Sequence, residues 1–403
     1  MENNELDRRL SLTSRAVHAD DHVAAHRAVA PAMHVSTTFR YTDDPDRLDP
    51  EDVVDPSAPL DSHVYSRESA PNTARLEAVL SSVLGGQAIT YGSGLAAFHA
   101  MLVRINPRRI AIGEGYHGCH GVIDLLSRLT GLRRLPLDCE PDELGPGDVI
   151  HVETPLNPVG EARNLEMYAK RARAAGAYLT VDATFAPPPL QDPLALGADV
   201  VMHSGTKYLG GHSDMLCGVL AVRPGLDWMA DLRHERTVLG GVMGSFEGWL
   251  GLRSMRTLEL RVLRQSETAE RLVSWLTEEM SRGSSTAAGA LVHRVHHASL
   301  QPEATEPDSW LRRQMPRGYG AVFAILMRDE DSARRLPSRL RLFAHATSLG
   351  GVESLIEWRA MSDPTVDRRL LRLSIGVEAL EDLRDDLKRG FESLIGSTDR
   401  CPC

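Results

Sequence analysis

The chain is short of several things. No stretch approaches the roughly 18 continuous apolar residues of a membrane-spanning helix. Met1–Leu10 is polar and acidic and lacks the apolar core of a secretory signal. No membrane association and a cytoplasmic address are the expectation. Positive charge is in deficit: 45 Lys and Arg stand against 55 Asp and Glu, a formal net charge of −10. That balance argues against wrapping nucleic acid or lying on an anionic membrane. Cysteine is sparse and unpaired. Cys119, Cys139, Cys217, Cys401 and Cys403 show neither CxxC nor zinc-ligand spacing, so free thiols and no metal site are expected. There is no internal repeat and no low-complexity tract.

The 403 residues, 42% of them hydrophobic, suffice for one large domain and a smaller one. Residues 1–62 show weak periodicity, and Asp43–Asp61 is rich in Asp and Pro. This segment reads as an arm lying on a partner subunit. From about residue 75 the pattern becomes α/β. Leu76, Val79, Leu80 and Val83 recur at helical spacing. Gln87–Tyr91, Arg109–Ile112, Leu132–Leu137, Val149–Val152, Tyr178–Val181, Asp199–Met202 and Val219–Val222 read as short strands. Leu95–Val103, Val122–Leu129 and Leu165–Ala175 read as helices, the last stopped by Gly176. Such alternation predicts a mostly parallel central sheet covered on both faces, over residues 63–255. Beyond it, Leu258–Met280 reads as one long amphipathic helix, Ala321–Met327 as a strand, and Leu380, Leu383, Leu387, Phe391 and Leu394 form a helical stripe. Residues 256–403 are thus expected to form a smaller C-terminal α+β domain.

In an open parallel sheet, ligands bind beyond the C-terminal ends of the strands. The residues following the predicted strands are chemically complementary. Gly92-Ser93-Gly94-Leu95 runs into a helix, where the backbone can approach an anion and the helix start offers free N–H groups. Ser204 and Thr206 add hydroxyl donors. Lys207 is an amine nucleophile once its charge is disfavoured. Asp182 is a carboxylate at a strand end that needs a cationic partner, and Tyr116 can stack on a flat ring. Together they suit pyridoxal 5′-phosphate (PLP), with Lys207 carrying it as a Schiff base and Asp182 at the ring nitrogen. Two other readings stay open on these residues. Gly92-x-Gly94-x-x-Ala97 followed by Glu114 also matches the dinucleotide fingerprint of an NAD-binding oxidoreductase, and a non-catalytic binding module is the third.

The runs Val181-Asp182-Ala183-Thr184-Phe185 and His203-Ser204-Gly205-Thr206-Lys207-Tyr208-Leu209-Gly210-Gly211-His212-Ser213-Asp214 resemble the cofactor-lysine signature of the Cys/Met-metabolism PLP enzymes. That family includes cystathionine γ-synthase, the cystathionine lyases, methionine γ-lyase and O-acetylhomoserine sulfhydrylases. The resemblance extends over nearly the whole chain, through Tyr65-Ser66-Arg67, Ser93-Gly94-Leu95-Ala96-Ala97, Glu153-Thr154-Pro155-Leu156-Asn157-Pro158, Ser348-Leu349-Gly350-Gly351-Val352-Glu353-Ser354-Leu355 and Leu371-Arg372-Leu373-Ser374. It implies PLP fold type I, the aspartate-aminotransferase type. It implies that Lys207 holds the cofactor and shuttles protons, that Asp182 pairs with the ring nitrogen, and that Tyr116 stacks. Gly94, Leu95, Ser204 and Thr206 would hold the phosphate. Tyr65 and Arg67 would reach the neighbouring subunit's site in a homo-oligomer, a dimer of dimers. Asn157, Ser348 and Arg372 would position the amino-acid substrate, with Thr347 beside them.

Four departures bear on the substrate. His117-Gly118-Cys119-His120-Gly121 replaces a family run ending in arginine. Thr347 stands where the cystathionine enzymes often carry Glu, Trp358-Arg359 where His-Pro is frequent, and Ala70-Pro71-Asn72 where the family has Asn-Pro-Thr. The reaction expected from these features is γ-replacement on an O-activated homoserine, such as O-acetylhomoserine, through a vinylglycine-type intermediate. The nucleophilic co-substrate would be something other than cysteine, a carbon acid of specialised metabolism. The alternative within the family is a γ- or β-lyase acting on a sulfur amino acid.

Overall fold

The computed structural model describes residues 10–23, 27–48 and 63–395. Much of the predicted arm, including 49–62, and Cys401 and Cys403 lie outside these described residues. Two helices, Leu12–His18 (α1) and Pro71–Leu84 (α2), precede the first strand, Gln87–Tyr91 (β1). Next come Gly94–Ile105 (α3), Arg109–Ile112 (β2), His117–Thr130 (α4), Arg133–Pro136 (β3), Val149–Glu153 (β4), Leu165–Ala175 (α5), Tyr178–Asp182 (β5), Val200–Ser204 (β6) and Gly218–Val222 (β7). Met229–Leu239 (α6), Ser245–Met255 (α7) and Leu258–Ser281 (α8) lead to the second sheet. Its strands are Val292–His296 (β8), Val322–Met327 (β9), Ala344–His345 (β10), Leu355–Trp358 (β11) and Leu370–Ser374 (β12), and Leu380–Ile395 (α9) follows.

The larger sheet has the order β1-β7-β6-β5-β4-β2-β3. Only β7 runs against its neighbours; every other pairing is parallel. Every residue of β4 and β7 is buried, which is why β7 reads as an unbroken apolar run and β4 as one interrupted only by His151 before its terminal Glu153. The helices start and stop where local chemistry dictates. The Ser93 hydroxyl accepts from the Ala96 N–H (3.1 Å) and caps α3, while Gly176 closes α5 at φ 67°.

The smaller sheet, β10-β11-β12-β9-β8, is antiparallel except for the β10–β11 pair. The helix α8 joins it to the larger part of the chain: the buried Gln265 donates to Gly351 O (2.7 Å) and Ile375 O (3.1 Å) on the smaller side, and Arg261 Nη1 donates to Tyr208 O (2.8 Å) on the larger. Two elements differ from the sequence reading. α4 begins at His117 rather than Val122, because Gly118 and Gly121 hide the apolar period of its first turns. Part of the arm is helical and lies on its own chain: Ala16 and Ala19 of the α1 region are buried, Thr13 bonds Glu259 and Arg15 bonds Ser82 O.

Candidate active site

Beyond the C-terminal ends of β4, β5 and β6 lies a cavity of about 420 Å³. Its walls include Gly94, Leu95, Tyr116, Asn157, Asp182, Ser204, Thr206, Lys207, Thr347, Ser348 and Arg372. All the residues expected to hold PLP or the substrate therefore line it, except Tyr65 and Arg67. Those two sit on each other outside it, with the Arg67 guanidinium carbon 4.9 Å from the Tyr65 ring centroid.

One wall comes from the larger sheet. A Cβ added at Gly94 would lie 3.1 Å from that of Ser204, so the first turn of α3 packs directly against the end of β6. The loop carrying Lys207 is pinned by a reciprocal pair: the Cys217 N–H donates to the Thr206 hydroxyl (3.0 Å), and the Thr206 N–H donates to Cys217 O (3.1 Å). Asp182 is buried and accepts from the Thr184 N–H (3.0 Å) and hydroxyl (2.5 Å). Burial raises its pKa, against the Thr184 hydrogen bonds and the Lys207 charge. No salt bridge satisfies this carboxylate among the described residues, an arrangement that calls for a cationic ligand.

Tyr116 is placed from below by Glu153. One oxygen of that carboxylate accepts from the Tyr116 N–H (2.7 Å) and the other from the Asn157 N–H (2.7 Å). Burial and the nearby Asp182 push the Glu153 carboxyl up to about 8. The Tyr116 hydroxyl is likewise raised, chiefly by burial.

The other wall comes from the smaller sheet and its loops. Arg372 on β12 is buried and donates through Nη1 to Asn157 Oδ1 (2.9 Å) and through Nη2 to Ser348 O (2.8 Å); Nη2 also pairs with Glu357 Oε2 (2.7 Å). Ser348 holds φ at 83°, a left-handed conformation that a non-glycine residue adopts only under constraint. Its hydroxyl accepts from Lys207 Nζ at 2.9 Å. The Lys207 pKa is lowered, first by burial and then by the Arg372 charge, which favours the neutral amine a nucleophile needs. Sequence reasoning gave no site role to Glu357, Arg359 or Ser362. The two last line the cavity, and all three form one cluster: Arg359 Nη1 donates to Glu357 Oε2 (2.9 Å) and the Ser362 hydroxyl to Glu357 Oε1 (2.6 Å).

The dinucleotide reading fails on geometry. Glu114 faces a separate groove with His120 and Arg163, so it shares no pocket with Gly92–Gly94. The residues present do fit PLP. A helix start and two hydroxyls suit a phosphate, a buried carboxylate with no ion pair among the described residues suits a pyridinium nitrogen, and a half-buried amine at 207 suits an imine.

Residues 13–392 match the family described as Cys/Met metabolism PLP-dependent enzyme. The chain is 32% identical over 388 residues to a cystathionine γ-synthase of Escherichia coli, covering 91% of this chain and 93% of that protein. It is also 32% identical over 348 residues to a cystathionine β-lyase of Lactococcus lactis, covering 81% of this chain and 88% of that protein. Among solved structures, metB from Corynebacterium glutamicum superposes with a TM-score of 0.84 at 27% identity, covering 96% of this chain and 99% of that one. CalE6, a methionine γ-lyase from Micromonospora echinospora, gives 0.80 at 33% identity, with 95% and 99% covered. With both sheets, the cavity and the sequence in agreement, the chain belongs to the Cys/Met-metabolism family of PLP-dependent enzymes, with PLP as its cofactor and fold type I as its architecture.

Proposed function

We propose that this enzyme carries out γ-replacement on an O-activated homoserine, such as O-acetylhomoserine, with a carbon acid rather than cysteine as incoming nucleophile. The observation that carries the reading is the convergence of Lys207 Nζ, Ser348 and the forked donors of Arg372 on one cavity, from its two opposite walls. When bound, PLP supplies an electron sink for the charge left at the substrate Cα. Asp182 holds the pyridine nitrogen, Tyr116 covers the ring, and the start of α3 with Ser204 and Thr206 holds the phosphate. The Lys207 amine accepts the proton from Cα and hands it on; free again, it accepts the proton from Cβ, the electron pair of that bond expels the γ-oxygen substituent as its anion, and the carbon acid, having lost its own proton, bonds to Cγ. Arg372 receives the α-carboxylate by two parallel N–H donors, and Asn157 Oδ1 keeps that guanidinium in plane. A nucleophile other than cysteine is supported at the start of α4. Gly121 stands where the resemblance implies an arginine in the γ-synthases, and a Cβ there would meet nothing within 4 Å.

The same reading takes Tyr65 and Arg67 into the cavity of a second copy of the chain, with Arg67 on the phosphate, in a dimer of dimers. Their position outside their own cavity and the 39% exposure of Tyr65 support it. A second reading, a γ- or β-lyase, is favoured by the similarity to cystathionine β-lyase and CalE6. Holoenzyme given O-acetylhomoserine and a panel of carbon acids separates the two. Acetate release with a mass-shifted amino-acid adduct supports replacement. Ammonia and a keto acid formed from cystathionine or methionine, without adduct, overturns it in favour of the lyase.

A further inference from the structure

The cluster opposite Lys207 has more positive charge than its own members neutralise. Glu357 is a single carboxylate facing two guanidiniums, Arg372 at 2.7 Å and Arg359 at 2.9 Å. Its second oxygen is taken by the Ser362 hydroxyl. Arg359 is only 4% exposed, lines the cavity, and has an Nε without a hydrogen-bond partner among the described residues. Asp363 is a further acid within electrostatic reach of Arg359, but it forms no ion pair with that guanidinium among the described residues, and its Oδ1 accepts from the Thr365 N–H (2.9 Å) and hydroxyl (2.6 Å). A buried guanidinium left partly unpaired is costly unless something completes it. Arg372 is already assigned to an α-carboxylate and is held by Asn157, Ser348 and Glu357. Arg359 is held by Glu357 alone among the described residues.

The surroundings of Arg359 favour an anion. Tyr116 and His117, at the start of α4, line the same cavity. That helix begins with no side-chain cap; the Cys119 N–H turns back to Tyr116 O (3.0 Å), and the positive end of the helix dipole lies at this uncapped start. We propose that Arg359 is a second anion-binding group of the substrate cavity, distinct from Arg372, and that it selects a substrate bearing a carboxylate at the end remote from its α-carbon. The inference rests on the reading of an amino-acid substrate whose α-carboxylate meets Arg372. The remote carboxylate sits either on the leaving side chain of that amino acid or on the incoming nucleophile; the chemistry at Arg359 is the same.

The test uses PLP-loaded enzyme and two amino acids of equal chain length, L-2-aminoadipate and L-norleucine, which differ in a terminal carboxylate against a methyl. Binding is read from the cofactor absorption band. A third arm measures glutarate binding to norleucine-saturated enzyme by calorimetry. The expected result is an aminoadipate preference of about tenfold or more, the size of one charge-assisted contact, or glutarate binding of the same Arg359 dependence. Arg359→Met brings the ratio close to one or abolishes the glutarate signal, and Arg359→Lys restores part of it. A preference in the aminoadipate arm assigns the carboxylate to the amino acid; a signal only with glutarate assigns it to the co-substrate. If neither arm depends on Arg359, or if Arg359→Met weakens both amino acids alike, Arg359 merely positions Glu357 and the proposal is overturned. A band that responds to no amino acid removes the underlying reading, and the inference with it, before any variant is compared.

Discussion

The two walls of the cavity are built differently. The wall from the larger sheet gathers Gly94, Asp182, Ser204, Thr206 and Lys207 from strand ends and helix starts. There the topology alone brings them together, because parallel strands all finish on one edge. The opposite wall carries Ser348, Arg359, Ser362 and Arg372. It is held by contacts between distant parts of the chain, such as the Arg372–Asn157 hydrogen bond across 215 positions. The first wall is generic to the chemistry of the cofactor. In the proposed reading the second faces the substrate, and it carries three features: a left-handed Ser348, a carboxylate shared by two arginines, and a buried Arg359. Chemistry and selectivity would then reside in separable parts of the molecule.

Substitutions on each wall should therefore fail differently. The largest effect is expected from Lys207→Ala: the visible imine band disappears and turnover falls by about 10²- to 10⁴-fold, the worth of a positioned general base. Spectra and steady-state rates check it, and a variant that kept both would remove Lys207 from its role. Arg372→Met strikes the other wall. KM for the amino acid should rise by roughly 10- to 100-fold with a smaller change in kcat, since the contact is made in ground and transition state alike. An unchanged KM would place the α-carboxylate elsewhere. Arg67→Ala should weaken PLP retention by about tenfold through loss of one charge-assisted contact, measured by dialysis against PLP-free buffer. Undiminished affinity would count against a site shared between subunits.

The smallest effect concerns Glu153, beneath both walls. Its carboxyl is raised to about 8, so the folded protein holds that proton more tightly than the unfolded chain does. The associated stability is complete at pH values below the ordinary carboxylate range and is lost as pH climbs through 8. Glu153→Gln should flatten that decline in urea midpoints of the apo-protein between pH 5 and 8. A slope identical to wild type would show that Glu153 is ionised throughout.

The larger sheet was readable in the sequence because its strands are short apolar runs ended by Gly, Asp or Ser, and its helices carry clear caps. The cofactor wall was readable for the same reason: Asp182 and Lys207 sit immediately past such runs. The smaller sheet was mostly hidden. Glu357 and Arg372 lie inside β11 and β12, and a charge in a four- or five-residue strand breaks the period that would reveal it. They are tolerated there because each neutralises the other in the folded state, a fact no local window contains. Arg359 was visible only as a departure from the family pattern. Its place in the cavity follows from β11 pairing with β12. The run Glu357-Trp358-Arg359 is charge-balanced by itself, and the surplus of positive charge arises only when Arg372 is brought beside Glu357.

The most direct test of the account is chemical. Holoenzyme reduced with borohydride, digested and analysed by mass spectrometry should carry the phosphopyridoxyl group on the peptide containing Lys207, with loading lowered by Asp182→Asn. A label on another lysine, or loading indifferent to Asp182, would contradict the claim that these two side chains grip one ring.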